Sequence, residues 1–146
     1  MNTKKTLLVA LDLGPRSDAI VNETIALADS LGATIHLVHV FTLQDKHETV
    51  LTSPNLYAHL KTSNHSLLAA AAARCRARGR LGTMLWHEGD PISQILLTAA
   101  AVDADMIVIG ASRRGAATRS VTEAVVRKAQ CSVVVVRQKR SSAEDN

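Results

Sequence analysis

The segment between Gly110 and Ser120 has the residue types that bind an anion. It follows residues 106–109, an apolar run that predicts a buried strand, and it precedes the pattern of a helix. The segment contains three arginines and one glycine: Arg113, Arg114, Gly115 and Arg119. A loop between a strand and a helix presents free backbone N–H groups, and guanidinium groups bind phosphate through paired donors. The segment therefore predicts either a phosphate-type anion site or a solvated basic loop.

Asp12 is a second candidate for a ligand contact, because it follows the apolar run of residues 7–11. A carboxylate at the end of a strand contacts a bound ligand or accepts hydrogen bonds from the loop, and the two roles are compatible. Ser120 and Glu123 have the spacing of a helix capping box. We therefore expect Ser120 to begin a helix rather than to act as a nucleophile.

Metal and catalytic motifs are absent from the sequence. None of the six histidines lies in an HExxH or HxxxH pattern, and Cys75 and Cys131 lack metal-ligand spacing. We expect no catalytic residue, no metal and no required cofactor, and we interpret the thiols as reduced and buried in a cytoplasmic protein. No apolar run reaches the roughly 18 residues of a membrane span.

The chain is mildly basic, with a net charge of +4. Part of the excess lies in four arginines at alternate positions: Arg74, Arg76, Arg78 and Arg80. They form either a phosphate or nucleic-acid patch or the solvated end of a helix. Aromatic residues make up only 2% of the chain, which argues against recognition of single-stranded nucleic acid by stacking. We favour the helix end and expect no nucleic-acid partner.

Five apolar segments alternate with four helical patterns along the chain. The predicted strands are residues 7–11, 34–41, 81–87, 106–109 and 133–136, and the predicted helices begin near Ser17, Leu56, Pro91 and Ser120. Ser17 is the predicted cap of the first helix. This alternation predicts an α/β fold: a doubly wound, five-stranded parallel sheet of order 3-2-1-4-5 with helices on both faces. We assign residues 1–138 to one domain and residues 139–146 to a flexible polar tail.

In a sheet of this order, a ligand crevice lies outside the carboxyl ends of the first and fourth strands. The loop that contains Asp12 and the loop that begins at Gly110 are therefore expected to face each other. These two segments are far apart in the sequence.

The chain resembles the universal stress protein family over nearly its full length. The motifs that carry the resemblance are LLVALD ending at Asp12, the pair His39-Val40, the turn Gly89-Asp90-Pro91, ADMIVIG ending at Gly110, SVTEAV from Ser120, and the final CSVVVV. The resemblance implies a small cytoplasmic α/β protein, usually dimeric, linked to stress survival and often without known catalysis.

Nucleotide-binding members of that family carry the motif G-2x-G-9x-G-[ST], of which Gly110 matches the first glycine. Arg113 and Arg119 occupy the other two glycine positions, the segment up to Ser120 is four residues shorter, and Gly115 replaces the second glycine only with a local shift. The resemblance implies a nucleotide or anion crevice formed by Asp12, Val40, Gly110, Arg113, Gly115, Arg119, Ser120 and Val121. We expect ATP to bind weakly or not at all.

The last predicted strand, at a sheet edge, is almost purely apolar up to Arg137. Such an edge aggregates unless another chain covers it, so we predict a homodimer through the fifth strand. The sequence favours a non-catalytic, cytoplasmic stress-response or regulatory protein that acts as a dimer through protein partners. The alternative is a protein that binds ATP or another adenine nucleotide with little or no hydrolysis.

Overall fold

The computed structural model describes residues 4–42, 54–111 and 118–137, and at residues 118–120 it describes the backbone alone. In chain order, the described elements are β1 (Thr6–Ala10), α1 (Ser17–Leu31), β2 (Thr34–Phe41), α2 (Pro54–Ala77), β3 (Leu81–Glu88), α3 (Pro91–Ala101), β4 (Met106–Gly110), α4 (Thr118–Lys128) and β5 (Ser132–Val136). The predicted tail, residues 139–146, lies outside these ranges.

The five strands form one sheet of order β3-β2-β1-β4-β5, and every neighbouring pair is parallel. This arrangement confirms the predicted doubly wound α/β fold. Because β1 lies between β2 and β4, the chain changes direction across the sheet at β1 and β4. The connections that follow these two strands lead to helices on opposite faces of the sheet and leave a crevice between them.

Successive residues of β1 face opposite sides of the sheet and belong to two separate cores. Leu7 and Val9 pack with residues of α1 and α2, among them Val21 and Leu68. Leu8 packs on the other face with residues of α3 and α4, which include Ile95 and Val125. Burial on both faces explains why β1 and β4 are continuous aliphatic runs rather than alternating ones.

The capping of α1 and the start of α4 differ from what the sequence pattern predicts. Arg16 is the N-cap of α1 and makes no capping hydrogen bond through its side chain, so the predicted cap at Ser17 is wrong. Ser17 is already inside the helix, where its hydroxyl is buried and has no hydrogen-bond partner among the described residues. Helix α4 begins at Thr118, so Ser120 of the predicted capping box is not its first residue.

The alternating arginines hold α2 to α1. Arg74 pairs with Asp18 at 3.0 Å, and Asp29 accepts from Arg78 at 2.5 Å and from Arg80 at 3.0 Å. The hydrogen bonds from these two arginines lower the pKa of Asp29 below its usual value. Three of the four guanidinium groups therefore neutralise carboxylates of the same chain, which supports the helix-end interpretation over a nucleic-acid patch.

Among the described helices, none is both long enough and apolar enough to cross a membrane.

Candidate functional site

A cavity of about 450 Å³ opens at the carboxyl ends of β1, β2 and β4. The N-terminal turns of α1, α3 and α4 border it, and Asn64 of α2 also lines it. Its polar and charged lining residues are Asp12, Arg16, His39, Thr42, Asn64, Asp90 and Thr122. The volume is in the range of small-molecule and cofactor sites, about 300–1,000 Å³.

Four of the residues predicted for the crevice line this cavity: Asp12, Val40, Gly110 and Val121. Arg113 and Gly115 lie outside the described residues. The backbone of Arg119 and Ser120 belongs to the first turn of α4, and their side chains are not described. The structure therefore brings the carboxyl ends of β1 and β4 together at one cavity, and the ligand-binding roles of all eight residues stay predictions.

Asp12 closes a tight turn at the end of β1. One of its carboxylate oxygens accepts a hydrogen bond from the backbone N–H of Gly14 at 2.8 Å. Leu13, between them, has a φ of 62°, in the left-handed region that side chains rarely adopt. The structure confirms the loop-bonding role of Asp12. The residue is exposed and lines the cavity, so its carboxylate is accessible to a ligand. Its contact with a ligand stays a prediction.

His39 ties the loop after β1 to β2 at the floor of the cavity. Its Nδ1 lies 2.8 Å from the backbone oxygen of Leu11, and only 7% of the residue is exposed. A carbonyl oxygen can only accept, so Nδ1 carries the proton in this contact. The backbone N–H of Leu11 in turn donates to Val38 at 2.9 Å, which fixes the loop against the sheet.

Arg16 joins the two loops on either side of the crevice. Its Nη2 donates to the backbone oxygen of Ala111 at 2.6 Å, across 95 positions of sequence. The backbone N–H of Ala111 donates to Val136 at 2.8 Å, so the acceptor is itself held by the edge of the sheet. Arg16 is half-buried and lines the cavity, which places a fixed positive charge at its rim.

Gly110 ends β4 under two constraints from the surrounding structure. The hydroxyl of Thr122, in α4, donates to the backbone oxygen of Gly110 at 3.0 Å. A Cβ atom at Gly110 would lie 2.7 Å from Cδ1 of Ile20, in α1. A side chain at this position therefore requires Ile20 to move, so packing favours a glycine here independently of any approach of the backbone to a phosphate.

Asp90 borders the cavity as the N-cap of α3. Its side chain accepts hydrogen bonds from the backbone N–H of Ser93 at 2.9 Å and from the Ser93 hydroxyl at 2.8 Å. These bonds lower the pKa of Asp90 below its usual value. The carboxylate therefore stays ionised and caps the N-terminus of α3.

An aromatic cluster extends from one wall of the cavity to the surface. Phe41 lines the cavity and stacks on Trp86 with ring centroids 5.5 Å apart, and Trp86 stacks on His65 at 4.6 Å. The edge of Tyr57 meets Phe41 at 5.7 Å, and the ammonium group of Lys61 lies 5.0 Å from the Trp86 ring. The chain has one Phe, one Tyr and one Trp, so all three aromatic residues gather beside the cavity.

Sequence patterns did not identify Arg16, Asn64 and Thr122 as lining residues. Asn64 lies on a helix whose relation to the crevice depends on packing. Arg16 could have been noticed in the sequence, because a cation directly before a helix is unfavourable for the helix dipole and therefore suggests another role. Within residues 4–42, 54–111 and 118–137, no group of three His, Cys, Asp or Glu residues could hold a metal ion.

A family model described as the universal stress protein family matches residues 4–137 of this chain. Among curated proteins, none matches the chain significantly.

Solved structures of universal stress proteins have the same fold. One from Archaeoglobus fulgidus in complex with dAMP has a TM-score of 0.63 and 21% identity, over 92% of this chain and 98% of that chain. A universal stress protein in complex with cAMP has a TM-score of 0.68 and 19% identity, over 93% and 98%. UspA from Lactobacillus plantarum has a TM-score of 0.65 and 25% identity, over 93% and 100%.

Proposed function

The chain belongs to the universal stress protein family, and from that premise we propose that its cavity binds an adenine nucleotide without hydrolysing it. The protein would then act as a regulatory, non-catalytic component of a stress response. The observation that carries the proposal is the cavity of about 450 Å³ at the point where the strand order reverses.

The lining of the cavity suits a ligand with an apolar and a charged end. Val40, Phe41 and Val121 offer apolar contacts for a flat ring, and Arg16 offers a guanidinium group for an anion. Adenine is favoured as the base because two similar structures are complexes with cAMP and dAMP. Asp12, at the first strand, is the residue that we expect to accept a hydrogen bond from the nucleoside.

A non-catalytic role is supported by the carboxylates that border the cavity. Asp12 accepts from the backbone N–H of Gly14, and Asp90 accepts from Ser93. A general acid or base requires a pKa near the working pH, whereas the pKa of Asp90 is lowered. The environment of Asp90 therefore does not favour proton transfer.

Calorimetry with AMP, GMP and adenosine at physiological salt tests the proposal. We expect adenine ligands to bind more tightly than GMP. Asp12→Asn keeps an oxygen for the Gly14 N–H and removes the second acceptor oxygen. It should weaken adenosine binding by about fivefold or more, the value of one hydrogen bond. Asp103→Asn is the matched control, because Asp103 precedes β4 at the opposite end of the sheet and Asn tolerates its φ of 53°. Absence of binding to every adenine ligand would overturn the proposal.

We further propose that the protein is a homodimer through β5. This strand is an edge of the sheet, its only paired neighbour among the described strands is β4, and Val135 is 38% exposed. Antiparallel pairing of two β5 strands about a two-fold axis would satisfy the open edge and cover Val135. The protein partners and the cytoplasmic location expected from the sequence stay predictions.

A further inference from the structure

The charges around the cavity are unevenly placed. Among its described lining residues, Arg16 is the one Lys or Arg, while Asp12 and Asp90 are carboxylates. Of these described residues, Arg16 attracts a ligand anion, and Asp12 and Asp90 repel it. Among the described lining residues, carboxylates therefore outnumber Lys and Arg two to one.

The guanidinium group of Arg16 is held in place before any ligand arrives. Its Nη2 hydrogen bond of 2.6 Å to Ala111 uses one of five N–H donors. Fixing one edge of the group reduces the conformational entropy that binding would otherwise cost. A planar guanidinium group held in this way can bind two phosphate oxygens with two further donors.

The location of Arg16 also runs against the usual preference of helices. Arg16 is the N-cap of α1, where its side chain caps no N–H group and its charge lies at the positive end of the helix dipole. Asp and Ser are favoured at such a position because they satisfy the helix. An anion beside Arg16 would offset this unfavourable placement.

We propose that Arg16 is the phosphate-binding residue of this cavity and that it selects nucleosides with a single phosphate group. The proposal rests on the proposed function and assigns the ligand class of the same site. One phosphate matches one guanidinium group, whereas each further phosphate would add negative charge near Asp12 or Asp90. The order of affinity expected is AMP above ATP, with adenosine weaker than AMP.

The competing interpretation is that Arg16 only holds the two loops together through Ala111. The two roles differ in which ligand they affect. Loss of a phosphate contact weakens AMP and leaves adenosine unchanged, whereas loss of loop geometry weakens both ligands together.

The test is calorimetry of the full chain with AMP, adenosine and ATP, using Arg16→Gln. We expect AMP affinity to fall at least about tenfold and adenosine affinity to change less than about twofold. AMP should still bind more tightly than ATP, because Asp12 and Asp90 are unchanged. Arg16→Lys keeps the charge and one donor, so it should lose AMP affinity to a smaller degree. It also provides the measurement if Arg16→Gln does not fold.

Two control variants remove guanidinium charge elsewhere in the chain. Arg76→Gln removes an exposed guanidinium group from α2, and the double change Arg113→Gln and Arg114→Gln removes two from the loop that sequence patterns favour. We expect a smaller effect on AMP from both controls than from Arg16→Gln.

The assignment of Arg16 is overturned if its variants weaken AMP and adenosine equally, or if the loop variant lowers AMP affinity while Arg16→Gln does not. If the wild type binds neither AMP nor adenosine, the proposed function fails and this inference fails with it. Adenosine distinguishes the two failures, because it has no phosphate for Arg16 to bind.

Discussion

A Cβ atom on Gly110 would lie 2.7 Å from Cδ1 of Ile20, a side chain that is only 5% exposed. The end of β4 therefore has room for a glycine, and not for a side chain unless Ile20 moves. This relationship gives the first glycine of the degenerate nucleotide motif a packing role of its own. A sequence match at Gly110 is consequently weak support for phosphate binding.

Gly110→Ala should destabilise the protein by about 1–3 kcal/mol, the usual cost of overpacking a core. Ile20→Val removes the clashing Cδ1 and should itself cost about 0.5–1.5 kcal/mol. In the double variant, the added methyl group occupies the space that Cδ1 left. The double variant should therefore lose less free energy of unfolding than the sum of the losses in the two single variants. Urea unfolding of the four proteins measures this coupling. If the two losses of free energy were simply additive, the cost of a side chain at position 110 would not come from contact with Ile20.

ATP should bind weakly, and its affinity should fall steeply with salt. The shortened segment after Gly110 offers few backbone N–H groups, so long-range attraction by Arg113, Arg114 and Arg119 remains the main contribution from that side. Such attraction is screened at about 0.15 M salt, where the Debye length is about 8 Å. Calorimetry at low and at physiological salt measures how steeply the ATP affinity falls with salt concentration. Micromolar or tighter ATP binding that discriminates against GTP and pyrophosphate would contradict this expectation.

Val135→Lys should convert the proposed dimer to a monomer, because it adds a charge to the exposed position of β5. Val134 is a poorer target, since it packs against the core formed with α1 and its replacement would also disturb folding. Leu97→Lys, at a position of α3 that is 63% exposed, is the matched control and should leave the dimer intact. Sedimentation at micromolar concentration measures the oligomeric state of each protein. A stable monomer of the wild type would count decisively against the dimer.

Stability should decrease in mild acid because of His36. Its Nδ1 accepts the backbone N–H of Thr83 at 3.1 Å, so this nitrogen carries no proton, and burial lowers the pKa of His36 below 6.5. Protonation is thus harder in the folded than in the unfolded state. The contribution of His36 to folding is fully present above pH 6.5 and is lost as the pH falls through the lowered pKa.

His36→Asn keeps an acceptor for the Thr83 N–H and does not titrate. Its free energy of unfolding should therefore decrease less than that of the wild type between about pH 8 and about pH 5.5. Urea unfolding at both pH values provides the comparison. Equal acid losses in the two proteins would show that the other histidines or carboxylates carry the whole effect.

The fold followed from local patterns. Continuous aliphatic runs such as residues 106–109 predict strands buried on both faces, and their alternation with helical periods leaves few topologies other than a parallel doubly wound sheet. Short-range signals of this kind depend on residues within a few positions of one another. The helix starts were less well predicted, because Ser17 and Ser120 have good capping chemistry but lie inside α1 and α4.

The candidate site was predicted in part. Asp12 and Gly110 could be placed at one crevice because strand order alone brings the ends of β1 and β4 together. Three further features depend on how helices pack against the sheet: the contact of Arg16 with Ala111, the presence of Asn64 in the cavity lining, and the close approach of Ile20 to Gly110. Sequence periodicity determined which faces of the elements are apolar. Only the tertiary structure decided which polar groups meet across the cavity, since their distances depend on side-chain packing between segments as far apart as residues 16 and 111.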